Sequence, residues 1–369
     1  MDDSSTNSKP HGAKKKIAVL RLSSLGDCIN AFGFIGGLKK AYPKLKISWV
    51  IDKRFSPLFH DHDKDELVPL YELDFKKHGM KALFKFKKEL KDKKFDLLFN
   101  IQTSFKASLT SLCIRADVKY GYDSKRAREG QTLFTDVKVP SPEDPHVLKG
   151  FLAFAKAAGF ENVEPYWDFN LQDVEIDYAR SYFESNKIFL IAPASAKPQK
   201  NWTVEGYTAL GRYAMQKGYS VGLLGGSGKL EQALCQAIDQ NLDYKCVNLC
   251  GRTSLRELLA VTAVGSLLLS PDSGTMHLAS ALNTPVIGLF AIHNEKRVGP
   301  WNYPDLCVSV YEELAKKELN GAEIPWRYRV RDEKAMEKIS IERVKQMFDY
   351  AEAKYLSGIN NPDKDNADD

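Results

Sequence analysis

The segment Ser270-Pro271-Asp272-Ser273-Gly274-Thr275-Met276-His277-Leu278-Ala279 concentrates more usable chemistry than any other stretch of this chain. An apolar run at 266–269 leads into it and reads as a buried strand, and the amphipathic run 276–282 reads as a helix. Asp272 and Ser273 stand where a helix N-cap belongs, and Gly274 lets backbone amides approach a ligand closely. Free N–H groups, a hydroxyl and no bulk suit an anion, so the junction reads as a phosphate site or as a well-capped helix. His277 either touches that ligand or is a satisfied buried histidine.

Gly26-Asp27 places a carboxylate at the end of a first strand. Asp27 is either a general base toward a substrate hydroxyl or the N-cap of the next helix. Ser23 and Ser24 can orient it or offer amides to an anion. Lys200, within Pro198-Gln199-Lys200-Asn201-Trp202, either neutralises a diphosphate without a metal or is a loop lysine. Gly225-Gly226-Ser227-Gly228 is a glycine-rich turn without the Lys-Ser/Thr ending of a P-loop or the GxGxxG spacing. Glu231, one turn later, either accepts ribose hydroxyls or matches the helix dipole. The six cysteines are scattered, and Cys246 and Cys250 have no histidine or second pair beside them, so no metal site is expected. They read as reduced thiols of a cytosolic protein.

These residues need positioning, and the pattern supplies it. Strand-like runs at 16–22, 46–51 and 96–100 alternate with helical runs at 29–41 and 102–114. After a polar stretch at 168–177 and a helical run at 178–186, strands at 188–193, 219–224, 246–249, 266–269 and 286–290 alternate with helices at 204–217, 229–238, 255–263 and 276–282. This is βαβ logic and predicts two doubly wound α/β domains with parallel sheets and a ligand in the cleft between them. Asp27, Lys200, Gly225-Gly226, Asp272 and His293 all fall just after a strand or in the loop beyond, where such sheets bind ligands. Domains are expected at 15–175 and 176–332, with a helix at 333–356 packing across them and disordered tails at 1–14 and 357–369.

With 369 residues, 43% hydrophobic and 27% charged, the chain fits a soluble protein of two ordinary domains. It has no run of membrane-spanning length, and its polar N-terminus lacks the apolar core of a signal peptide. A net charge of +5 is too mild to call for nucleic acid. The charge is uneven, however: 76–94 holds nine lysines against Glu89 and Asp92. Interleaved Met80, Leu83, Phe84, Phe86 and Leu90 suggest an amphipathic helix that attracts membrane surfaces or polyanions, or a solvated face. Lys125-Arg126-Ala127-Arg128 is a second basic cluster, in a loop.

Taken together, these motifs resemble glycosyltransferase family 9, the ADP-heptose:lipopolysaccharide heptosyltransferases. Arg21-Leu22-Ser23-Ser24-Leu25-Gly26-Asp27 is similar to the family's RxSSxGD opening, and 270–279 with Asn283-Thr284-Pro285-Val286 and Leu289-Phe290 is similar to its SxDSGxMHLAxALxTPxxxLF signature. The run 248–258 resembles its NLxGxTSLxEL segment and Lys200-Asn201-Trp202 its K-x-W element, so the resemblance covers about 16–300. It implies the GT-B fold, an acceptor-binding N-terminal half and a half that binds ADP-heptose. By that resemblance Asp27 is the general base and Lys200 the catalytic lysine on the donor. The donor is further held by Ser195, Glu231, Thr253, Asp272, Ser273, Gly274 and His277. The acceptor side comprises Ser23, Ser24, Gln102, Lys106, Lys125, Arg128 and His146. The implied acceptor is Kdo-lipid A at the cytoplasmic face of the inner membrane, with no metal and no other cofactor. The family's Gly-Pro-Thr-Asp after Leu-Phe is replaced here by Ala291-Ile292-His293-Asn294, which leaves sugar identity open. Alternatives are a transferase using another nucleotide sugar or acceptor, an epimerase of the same shape, and a non-catalytic nucleotide-sugar-binding protein.

Overall fold

A computed structural model describes residues 15–357; the expected tail at 1–14, and all but Ser357 of the one expected at 357–369, lie outside the described residues. The chain divides into two units, one ending at Asn170 and the other beginning at Leu171. The division falls a few residues before the expected 175/176 boundary, because the polar stretch there belongs to a helix of the second unit.

The first unit is a six-stranded parallel sheet in the order β3-β2-β1-β4-β5-β6. Its strands are β1 (Lys16–Leu20), β2 (Lys46–Asp52), β3 (Leu70–Leu73), β4 (Phe95–Asn100), β5 (Ala116–Tyr122) and β6 (Val137–Val139). Its helices are α1 (Leu25–Ala41), α2 (Phe75–His78), α3 (Ala82–Glu89), α4 (Phe105–Leu112) and α5 (Val147–Ala157). Ile17, Ala18, Val19 and Leu20 are all inaccessible, the continuous apolar run of a strand covered on both faces. α1 lies close against the chain at 163–167: a Cβ on Gly36 would overlap the Tyr166 carbonyl, so glycine is required there.

The lysine-rich stretch does not form the single amphipathic helix expected of it. Gly79 at φ 54° separates α2 from α3, so the apolar residues divide. Phe75, Phe86 and Leu90 enter the core, whereas Met80 is 47% and Phe84 78% exposed among the lysines.

The second unit repeats the same winding, with strand order β12-β11-β10-β7-β8-β9. The strands are β7 (Ile188–Ile191), β8 (Ser220–Leu223), β9 (Val247–Asn248), β10 (Leu267–Pro271), β11 (Val286–Phe290) and β12 (Cys307–Ser309). The helices are α6 (Asp173–Arg180), α7 (Val204–Gln216), α8 (Lys229–Asn241), α9 (Leu255–Val264), α10 (Gly274–Ala281), α11 (Glu295–Val298), α12 (Tyr311–Glu318) and α13 (Ile341–Ala351). α6 packs on α9, with Arg256 forked onto Glu175 at 2.6 and 2.8 Å. The helix expected over 333–356 is shorter, and it buries Phe348 against Phe189, Tyr213 and Tyr219 of its own unit.

In both sheets the winding reverses beside the first strand, between β1 and β4 and between β7 and β10. Adjacent loops leave in opposite directions there and open a crevice at the strands' carboxyl ends. Asp27, Gln102, Lys200 and Asp272 follow these four strands.

Candidate active site

In the second unit, Ser273 and not Asp272 is the N-cap of α10, accepting from the Met276 N–H at 3.3 Å and contacting Ser270 Oγ at 2.8 Å. This frees Asp272 to turn toward the loop after β7. There Lys200 Nζ donates to Asp272 Oδ2 at 3.0 Å and also to its carbonyl. His293, just beyond β11, contacts the same Oδ2 through Nδ1 at 2.6 Å. The three side chains are only 11–14% exposed. Three loops, after β7, β10 and β11, thus converge on one carboxylate.

The electrostatics follow from this burial. Burial by itself would raise the Asp272 carboxyl, but the His293 hydrogen bond and the Lys200 charge outweigh it, with a smaller pull from the side of His277, and hold the group well below the usual carboxylate range. Burial pushes His293 down, and Lys200 and Arg329 add to the fall against the pull of Asp272. The imidazole is therefore neutral near pH 7 and donates from Nδ1 to the ionised carboxylate, which only accepts. Lys197 is lowered by burial and then by Arg329 and Lys200. Lys197 and Arg329 thus act electrostatically on the same cluster as Lys200, a charge excess that a polyanionic ligand would relieve. Arg329 is brought here by the pairing of Val330 N–H with the Ile292 carbonyl at 3.1 Å.

On the other side of β7, Glu231 closes the glycine-rich turn by accepting from the Gly226 N–H. The Gly251 N–H bonds the Gly225 carbonyl at 2.9 Å, which places the loop carrying Thr253 beside that turn. Ser254 caps α9 in a reciprocal pair with Glu257. Ser195 is buried, with its hydroxyl on the Lys197 carbonyl at 2.8 Å and its N–H on Asn201 Oδ1 at 2.8 Å. Its polar groups shape the lysine loop.

In the first unit, Asp27 is not the N-cap either. Ser24 holds that position, and Asp27 sits at N3, in the first turn of α1. Its Oδ2 accepts from Ser24 Oγ at 3.0 Å and from Ser24 N–H at 3.3 Å, and it pairs with Arg21 Nη2. Arg21 is in turn fixed on the Ile101 carbonyl at 2.7 Å. Gln102, after β4, takes the N–H groups of Leu22 and Ser23 on Oε1 at 2.6 and 3.2 Å. Residues after the two central strands therefore hold one turn, with the carboxylate on its far side still 30% exposed.

The chain is similar to a described family and to several named proteins. The family model described as "Glycosyltransferase family 9 (heptosyltransferase)" matches residues 83–324. The lipopolysaccharide core heptosyltransferase OpsX of Haemophilus influenzae is 37% identical over 335 residues, covering 90% of this chain and 95% of that protein. The chain belongs to glycosyltransferase family 9. Among solved structures, a family 9 glycosyl transferase of Veillonella parvula superposes with a TM-score of 0.74 at 21% identity, over 91% of this chain and 97% of that one. E. coli heptosyltransferase WaaC with ADP gives 0.68 at 18% identity, over 91% and 99%. These two establish the GT-B architecture of paired Rossmann-like units.

In this heptosyltransferase the structure gathers Lys200, Asp272 and Ser273 at one point, with His277 close enough to act on the Asp272 charge. Glu231 and the Thr253 loop meet at another. The expected acceptor residues are more dispersed in what they do. Gln102 is buried, with its amide oxygen on the Leu22 and Ser23 N–H groups and its NH2 donating to the Ser104 and Ser23 hydroxyls, Lys106 lies over the Phe75 ring at 4.5 Å, and His146 caps α5 by accepting from Leu148 N–H at 3.1 Å. Lys125 and Arg128 are exposed, whereas Arg126 between them is buried on Asp123 and the Val139 carbonyl. Sequence reasoning missed Lys197 and Arg329, and it noted His293 without giving it a role. Near Arg329 in sequence, the Trp326 ring carries the guanidinium groups of Arg297 and Arg327 at 4.9 and 4.7 Å. Among the described residues no group of three or more His, Cys, Asp or Glu is placed to hold a metal ion, and no helix is long and apolar enough to cross a membrane.

Proposed function

We propose that this heptosyltransferase moves heptose from ADP-L-glycero-β-D-manno-heptose to a Kdo residue of the lipopolysaccharide inner core, with inversion. The observation that carries the reading is the Lys200–Asp272–His293 cluster beside the open start of α10, a site with excess positive charge and a carboxylate in one place. Such a site suits a sugar diphosphate: amides and cations for the phosphates, a carboxylate for sugar hydroxyls. The names borne by the relatives, a lipopolysaccharide core heptosyltransferase and a heptosyltransferase with ADP, support the same donor and acceptor classes.

In this reading Asp27 takes the proton of an acceptor hydroxyl as that oxygen attacks the anomeric carbon. The C–O bond to ADP breaks in the same displacement. The departing diphosphate is received by Lys200 and the amides at Ser273–Gly274, fixed donors that contribute about 3–4 kcal/mol each to such a transition state. Glu231 and the Thr253 loop hold the ribose and adenine. Lys125 and Arg128 are the exposed cations left for acidic groups on the acceptor. The lysines of 76–94, with Phe84 and Met80 standing out among them, hold the enzyme at an anionic cytoplasmic membrane surface, at about 1 kcal/mol per lysine near the lipid.

The test is ADP release from ADP-heptose with and without Kdo-lipid A, for the native enzyme and Asp27→Ala. Acceptor-dependent release that the substitution abolishes, with donor binding retained, is the expected result. Tight ADP-sugar binding with no release to this acceptor points to a second reading, another sugar or acceptor, which the departure at Ala291-Ile292-His293-Asn294 favours.

A further inference from the structure

His293 stands where the resemblance supplies no role, yet its side chain is largely buried against a charged partner. It follows β11, and the pairing of Ile292 with Val330 anchors its backbone. Its side chain is 11% exposed, and its Nδ1 lies 2.6 Å from Asp272 Oδ2. That oxygen is also the one bound by Lys200 Nζ. Both protein partners therefore grip the same oxygen of the carboxylate, and none of the described residues takes Oδ1. His293 Nε2 is buried with no partner among the described residues, and within them the ring's hydrogen bond is to Asp272. A buried ring with one nitrogen unsatisfied is a costly arrangement to keep for packing alone.

We propose that His293 is a positioning residue for the transferred sugar. By clamping Asp272 Oδ2 against Lys200, it fixes the rotation of the carboxylate and presents Oδ1 to hydroxyl groups of that sugar. The inference rests on the reading of Asp272 as a donor ligand. Lys200 alone does not fix the carboxylate, because a single ammonium is a point charge about which a carboxylate can turn. Histidine adds a second, directional contact from a different loop. The diphosphate and the adenosine are served by other groups, so the effect falls on the sugar.

The test compares His293→Ala, which removes the donor, with His293→Asn, whose amide N–H occupies nearly the place of Nδ1–H. Affinities for ADP and for ADP-heptose are measured by calorimetry without acceptor, and kcat and KM with Kdo-lipid A. In His293→Ala the affinity for ADP-heptose and kcat/KM should fall at least about tenfold, as expected for a lost charge-assisted hydrogen bond, while ADP affinity stays within about twofold. His293→Asn should recover most of the loss, which a purely steric role would not allow. Equal weakening of ADP and ADP-heptose in His293→Ala overturns the proposal, as does a folded His293→Asn that is as impaired as His293→Ala. If the native enzyme itself binds ADP-heptose no better than ADP, the donor reading fails first and takes this inference with it.

Discussion

Replacing Lys200 by methionine removes a charge but keeps the length of the side chain, and the structure fixes what should follow. Nζ and Asp272 Oδ2 are 3.0 Å apart, with side chains 12% and 14% exposed. At an effective dielectric of about 20 their attraction is about 5–6 kcal/mol. Part of this is cancelled because the variant no longer desolvates an ammonium, and His293 still holds the stranded carboxylate. A net loss of about 2–4 kcal/mol in stability is expected, toward the lower part of the range for breaking a buried pair. In urea this appears as a lower midpoint at unchanged slope. The pH dependence has a definite sign. The Asp272 pKa is depressed on folding, so the stability it contributes is present above the unfolded carboxyl value of about 4 and is lost as pH falls toward the folded value. The gap between native and Lys200→Met proteins should therefore be constant from about pH 5 to 8 and close below about pH 4. Turnover should fall about 10²–10³-fold through loss of leaving-group stabilisation. A variant with native midpoint, native ADP affinity and native kcat would refute the assignment of Lys200 to both roles.

Four further outcomes follow from the same geometry. Asp27→Asn keeps the contacts to Ser24 sterically possible but cannot take a proton, so transfer should fall by about 10²–10⁴ with ADP binding unchanged in calorimetry. Gln102→Ala leaves the Leu22 and Ser23 N–H groups without their acceptor, and should cost about 1–3 kcal/mol in denaturant unfolding while lowering kcat with Asp27 intact. Glu231→Ala frees the Gly226 amide and should weaken ADP and adenosine together, whereas a pure ribose contact would spare deoxyadenosine diphosphate. Neutralising Lys85, Lys87, Lys88 and Lys91 should raise KM for acceptor in anionic vesicles and leave ADP affinity alone, and unchanged vesicle sedimentation would refute the membrane role.

The parallel sheets were legible because their strands are unbroken apolar runs, and the loop chemistry was legible because it follows those runs. What was not legible depended on contacts distant in sequence. The short edge strands β3, β6 and β12 carry too few apolar residues to stand out, and pairing with a neighbour defines them. Phe84 and Phe86 have the same apolar character, yet only the second is buried, because two residues apart on α3 they lie about 200° apart around the helix and only one face meets the core. Both aspartates read equally well as N-caps, and in both cases a serine takes the cap. Sequence proximity to a helix start gives an N-cap preference; only the position of Lys200 and Arg21 shows that each carboxylate has other work. Ser195 and Gln102 matched family positions, but their polar atoms are largely used within the protein. Position in a motif and availability to a ligand are separate properties.

The two carboxylates differ in a way that assigns their tasks. A general base near neutral pH needs a pKa that lets it gain a proton in the transition state. Asp272 is unsuited to this: two partners on one oxygen and a surround of cations stabilise its ionised form so strongly that protonation is disfavoured. The same features make it a firm acceptor for hydroxyl groups. Asp27 is about twice as exposed, sits in the first turn of α1 and pairs with the Arg21 guanidinium, which is itself tethered to a backbone carbonyl. Exchanging the two environments should exchange the phenotypes. Removing His293 and Lys200 together relaxes Asp272 toward an ordinary carboxylate, yet it should not create a second base: with Asp27→Asn in the background, transfer should rise no higher than the residual level of Asp27→Asn alone from about pH 5 to 8. Transfer clearly above that level in the triple variant would show that the Asp272 carboxylate can serve as the proton acceptor.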